Sequence, residues 1–166
     1  MKPYPEAIKE AIARIEPARP TYPNVILGVI LFLISEAFLF GALFWTYYYL
    51  RGHTPVWPPE GVELETGLAL VNTFILLASS GTIWWAERSV RRSKREGLAA
   101  GLAFTMILGS IFLGITIYEW FHETFLPWGN AYGSIFYTLT GFHALHVFGG
   151  IMFMAALLVR TLKGHF

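Results

Sequence analysis

Val25–Leu50 reads VILGVILFLISEAFLFGALFWTYYYL, twenty-six residues carrying a single charge, Glu36. As a helix rising 1.5 Å per residue, the stretch is about 39 Å long, more than the roughly 30 Å of a bilayer's hydrocarbon core. Backbone amides and carbonyls inside lipid must be paired within their own segment unless a barrel closes, so a block of this length reads as a transmembrane helix. Three more blocks follow it, Leu68–Ala86, Leu98–Trp120 and Ile135–Val159. The expected fold is therefore all-α, a polytopic membrane bundle of four transmembrane helices. Residues 24–166 form the membrane domain, and residues 1–23 form a cytoplasmic N-terminal segment. Within that segment Pro5 and Pro17 bracket a stretch that puts Ile8, Ile12 and Ile15 on one helical face, the pattern of a short amphipathic helix at a surface.

Composition agrees and narrows the function. The 166 residues are 55% hydrophobic and 14% charged, too apolar for an ordinary soluble domain, and four spans leave no length for a soluble catalytic domain. A net charge of +1 points to no nucleic-acid partner. The absence of cysteine excludes disulfides and thiolate metal sites. The first block is longer than a signal-peptide core and lacks a small-residue cleavage site after it, so it is expected to be retained. Lys2, Lys9, Arg14 and Arg19 precede helix 1; Arg88, Arg91, Arg92, Lys94 and Arg95 join helices 2 and 3; Arg160 and Lys163 follow helix 4. The other two loops hold one basic residue between them, Arg51, together with Glu60, Glu63, Glu65 and Glu123. The positive-inside rule then places both termini in the cytoplasm, as an even number of crossings requires. Trp57, Trp120, Trp128 and Tyr47–Tyr49 fall at the outer boundary, as an interfacial belt does. The first outer loop carries Trp57-Pro58-Pro59 and Gly61, a rigid turn-forming stretch expected to be well ordered.

Polar residues inside the spans are the candidates for function. Glu36 lies eleven residues past Val25, roughly 17 Å into the span and near the midplane, where an unpaired carboxylate costs several kcal/mol. It reads either as a proton relay or as a buried polar contact with another subunit or lipid; no second carboxylate lies at comparable depth, which favours the contact. His143 and His146 are three apart on helix 4. A bis-histidine haem takes ligands from opposite sides, normally from two helices, and no other span has an interior histidine. Polar anchoring between helices or to lipid head groups is the favoured reading, with simple burial beside it. Glu119, His122 and Glu123 stand at i, i+3 and i+4 near the end of helix 3, yet the second Glu-x-x-His set of a di-metal bundle is missing, so an interfacial hydrogen-bond cluster is expected. Gly101, Thr105 and Gly109 on helix 3, and Gly28, Ser35 and Ala42 on helix 1, form small-residue stripes that permit close helix approach. Those two helices are expected to dock on a larger complex. Trp57, Glu119, His143 and His146 are expected to lie near ordered phospholipid.

Six pieces in order carry a family resemblance: Ser35-Glu36-Ala37-Phe38-Leu39-Phe40 with Phe44-Trp45; Trp57-Pro58-Pro59; Leu70-Val71-Asn72-Thr73 with Leu76-Leu77-Ala78-Ser79-Ser80-Gly81; Tyr118-Glu119-Trp120; Tyr132-Gly133-Ser134; and Thr140-Gly141-Phe142-His143-Ala144-Leu145-His146-Val147. From about Asn24 to Phe166 the chain resembles subunit III of the haem–copper cytochrome c and quinol oxidases. The resemblance implies a subunit without catalytic, haem or copper residues of its own, packed beside catalytic subunit I and other oxidase subunits, binding phospholipid and sustaining proton uptake. Haem and copper then belong to the partner subunits, and the setting is a bacterial cytoplasmic (inner) membrane. Glu36 matches the family's membrane carboxylate and His143 and His146 its helix histidine pair. The chain departs from longer relatives at both ends: two initial helices are missing, and the chain stops at Lys163-Gly164-His165-Phe166, where the family continues into one more helix. The same role in a quinol oxidase, a stand-alone b-type cytochrome and a proton channel built on Glu36 are the competing readings.

Overall fold

The computed structural model describes residues 22–62 and 66–163, together with Pro5, Glu6 and Ile8. Among the described residues there are four long α-helices: α1 (Tyr22–His53), α2 (Thr66–Arg91), α3 (Arg95–His122) and α4 (Ala131–Leu162). All four are long and apolar enough to cross a membrane, so the protein is an integral membrane helical bundle. Each helix runs several residues beyond its apolar block at one or both ends. Hydropathy marks only the part in hydrocarbon, whereas backbone hydrogen bonding continues into the head-group region until a cap or proline stops it. The N-terminal amphipathic stretch and the last three residues fall largely outside the described residues; Glu6 and Ile8 are helical and exposed, and the Ile8 amide donates to the Pro5 carbonyl at 2.9 Å.

The chain divides into two compact units, residues 1–42 and 43–166. In the first, α1 presents apolar side chains all round, with Phe38 at 77% exposure, the surface that a lipid solvent or a partner subunit would cover. Ser35 donates its hydroxyl to the Phe32 carbonyl of its own helix at 2.7 Å, and a methyl added at Gly28 would meet nothing within 4 Å.

In the second unit α3 packs between α2 and α4. Small residues set the α2–α3 approach. A Cβ on Gly101 would stand 2.6 Å from the Ala86 Cβ and 2.9 Å from its Cα, and one on Gly97 would stand 2.5 Å from the Ser89 Oγ. One turn further along, the hydroxyls of Thr82 and Thr105 share a hydrogen bond of 2.7 Å, while Thr105 also donates to the Gly101 carbonyl. Gly109 turns instead to α4, where an added Cβ would lie 3.2 Å from Ile151. The helix 3 stripe therefore packs inside the chain against two neighbours. Backbones this close leave no room for another subunit between them along the stripe.

Local chemistry fixes the turns. α2 ends at the reversal Arg92-Ser93-Lys94, where the Lys94 amide donates to the Ser89 carbonyl, the Ser93 amide donates to the Val90 carbonyl and Ser93 has φ +53°. These paired bonds form a Schellman cap with serine at the left-handed position usually held by glycine. α4 starts on Asn130, whose Oδ1 accepts the Gly133 amide at 2.6 Å. A side chain at Gly133 would collide with the Leu126 carbonyl oxygen.

Candidate functional site

The two longer loops lie together at one end of the second unit, gathered by aromatic rings. The Trp57 ring meets Tyr47 at the end of α1 and Tyr132 at the start of α4, edge to face at 5.5 and 5.0 Å, and its indole Nε1 donates to the Tyr47 hydroxyl at 3.3 Å. Phe125 from the second loop packs on Tyr132, Phe136 and Tyr137, and the Tyr137 hydroxyl donates to the Trp120 and Phe125 carbonyls. Thr124 donates to the Gly61 carbonyl at 3.4 Å, tying loop to loop. Trp57 is thus the pin of its loop, where ring packing stands in for secondary structure.

Beneath this aromatic end a cleft of about 280 Å³ opens where α2, α3 and α4 meet, and both Glu119 and His143 line it. Asn72 and Thr73 face it from α2, Thr116 and Trp120 from α3, and Thr140 from α4. The His143 ring also sits edge-on to Phe112 of α3 at 5.6 Å. At 1.5 Å per residue, Glu119 lies about 5 Å, Asn72 about 9 Å and His143 about 18 Å from the helix ends at that side. The cleft therefore runs inward from the aromatic end.

The remaining candidates go elsewhere. His143 and His146 are both exposed, but only His143 lines the cleft; His146 has its Nδ1 2.6 Å from the Phe142 carbonyl of its own helix. The cause is angular: residues three apart differ by about 60° around a helix. His122 stacks on Tyr118 at 4.0 Å between ring centroids, with Nδ1 2.9 Å from the Tyr118 carbonyl, and does not line the cleft with Glu119. Glu36 is half-buried on α1 in the first unit. Among the described residues no group of three or more His, Cys, Asp or Glu is placed to hold a metal ion. The residue missed by sequence reasoning is Asn72, 6% exposed, whose Oδ1 has no hydrogen-bond partner. Its signal was present, since an amide side chain six residues inside an apolar span needs a reason to be there.

The family model for cytochrome c oxidase subunit III matches residues 8–166. The chain belongs to that family. It is 37% identical over 142 residues to the cytochrome c oxidase subunit 3 of Thermostichus vulcanus, covering 85% of this chain and 71% of the relative. With the subunit 3 of Papio hamadryas it shares 36% identity over 168 residues, 97% of this chain and 64% of that one. With that of Struthio camelus it shares 40% over 146 residues, 84% and 56%. The chain thus spans less than two thirds of the length of the latter two. Within this subunit III chain, the cleft is built from three of the stretches that carried the resemblance, around Asn72, Glu119 and His143.

Proposed function

We propose that the protein is a non-redox accessory subunit of a proton-pumping haem–copper oxidase that reduces oxygen to water, with cytochrome c rather than quinol as the donor. The observation that carries this is the family match over residues 8–166, with relatives named as cytochrome c oxidase subunit 3. In this reading the chain packs beside catalytic subunit I, haem and copper are held by the partner subunits, and the chain supports proton uptake and the durability of the catalytic subunit. Both termini face the cytoplasm of a bacterial inner membrane. Glu36, half-buried on a helix with no other charge between Val25 and Leu50, is a polar contact at that assembly surface.

Phospholipid forms part of the same role. An apolar groove of about 560 Å³ between α3 and α4, lined by Leu113, Ile117, Trp120, Phe142, Leu145 and Phe148, suits an acyl chain. The exposed His122, at the end of α3, is placed at head-group depth. Extraction in mild detergent tests the proposal: the chain is expected to co-purify with haem- and copper-bearing subunits, with retained phospholipid and with oxygen consumption driven by reduced cytochrome c. A chain that purifies alone with stoichiometric haem would instead be a b-type cytochrome, and a complex that accepts electrons from quinol alone would move the role to a quinol oxidase.

A further inference from the structure

The end of α2 and its reversal into α3 carry a run of basic side chains, Arg88, Arg91, Arg92, Lys94 and Arg95, all exposed. Part of that charge is met within the chain. Arg91 pairs with Glu87 one turn back at 2.7 Å, and the Arg88 guanidinium lies over the Trp84 ring at 5.3 Å. Lys94 and Arg95 form no ion pair among the described residues. They line a groove of about 420 Å³ to which Ser93 adds a hydroxyl and Val90 and Leu98 add apolar surface. That volume falls within the roughly 300–1,000 Å³ of small-ligand sites. No carboxylate is among the described residues that line it: Glu96, next in the chain to Arg95, is exposed and lies outside the groove.

We propose that this groove binds the head group of an anionic phospholipid from the leaflet at that end of the bundle. The layering of the site carries the inference. Ser93, Lys94 and Arg95 lie between the two apolar blocks, at the level of head groups, whereas Val90 is one residue from the end of α2 and Leu98 opens the apolar block of α3. A lipid phosphate there meets two cations and a hydroxyl, while its glycerol and first acyl carbons rest on Val90 and Leu98. A small soluble anion would use the charges and leave the apolar surface uncovered. The absence of a lining carboxylate sets the head-group class. A zwitterionic lipid brings an ammonium that finds no acid in the groove and is repelled by Lys94 and Arg95; an anionic one brings no such charge. The site shares no lining residue with the acyl groove between α3 and α4, and it holds whether or not the chain serves an oxidase.

The test compares the lipid kept by the membrane complex, or by the chain if it purifies alone, after exchange into nanodiscs of phosphatidylcholine and phosphatidylglycerol in equal amounts. Native mass spectrometry is expected to find phosphatidylglycerol retained in preference, and a map to show phosphate density against Lys94 and Arg95. A basic residue near a head-group surface contributes about fivefold, so Lys94→Gln with Arg95→Gln is expected to lower the preference about thirtyfold. Arg160→Gln with Lys163→Gln removes the same charge at the end of α4, which lies on the same side of the bundle but outside the groove, and is expected to lower it much less. Val90→Trp keeps both cations and fills the apolar part, so it too is expected to lose the preference; if the first double variant does not assemble, this variant and the parent map decide. Four results would overturn the proposal. They are equal retention of the two lipids by the parent; equal losses in the two double variants, which would make the attraction diffuse; undiminished preference in Val90→Trp with inorganic phosphate in the groove, which would make it a soluble-anion site; or an acidic segment of another subunit seated there. Failure of the family role would appear as a chain without oxidase partners and would leave the lipid preference unaffected.

Discussion

Glu36 stands twelve residues past Asn24 in a span of thirty, about 18 Å from its start. At that depth an ionised carboxyl costs several kcal/mol unless its surroundings satisfy it, so truncation is expected to act first on the contacts around α1. Glu36→Ala should leave haem content and assembly of the oxidase intact while activity decays faster during turnover. Progress curves at saturating reductant, with haem content matched, check this. Immediate and complete inactivity with normal haems would make Glu36 an obligatory proton relay, and unchanged durability would reduce it to a tolerated packing residue. Glu36 was legible in the sequence because a lone charge in an apolar run is visible in one dimension. Asn72 was not singled out, because an unpaired oxygen is a fact about the donors around it, and those come from three helices.

At the scale of elements, α2 and α3 are held by contacts that tolerate almost no added volume. Gly101→Ala would drive a methyl against the Ala86 backbone and is expected to destabilise the α2–α3 pair by about 1–3 kcal/mol, read as a lower thermal midpoint of the complex in detergent. Combining it with Ala86→Gly moves the methyl to the other side of the contact and should recover most of that loss; no recovery would mean that the Ala86 contact is not the cause. The α2–α3 reversal predicts the opposite sign. Ser93 occupies the left-handed region at φ +53°, so Ser93→Gly is expected to stabilise the chain by up to about 1 kcal/mol. A fall in midpoint would show that the Ser93 side chain contributes more than its backbone costs. The stripe of small residues on helix 3 was visible as a pattern, but not its division between Ala86 of α2 and Ile151 of α4, since spacing says that helices approach and not which ones.

For the whole molecule, orientation follows from counting basic residues. The absence of native cysteine makes single-cysteine labelling a clean measurement of it. In intact cells or oriented vesicles, Ser93→Cys between α2 and α3 is expected to react only from the cytoplasmic side and Glu60→Cys only from the outer side; the reverse pattern would invert the bundle. The purified chain is expected to carry no haem or copper, which visible spectra and metal analysis check directly. His143 lines the cleft and His146 does not, although both are exposed, and the described residues offer no second histidine helix against them.

Sequence alone determined the class of fold, the number of crossings and the family, because lipid forces the backbone into self-contained helices and a hydropathy block can be read without knowing its neighbours. It also exposed the chemistry-bearing residues one at a time. Tertiary structure decided which of them meet. It set Glu119 and His143 on one cleft, placed the Nδ1 of His122 and of His146 against carbonyls of their own helices, closed the helix 3 stripe within the chain and buried the Asn72 oxygen without a hydrogen-bond partner. Each outcome depends on the rotation and crossing of helices far apart in the chain, set by packing between backbones that no local pattern encodes.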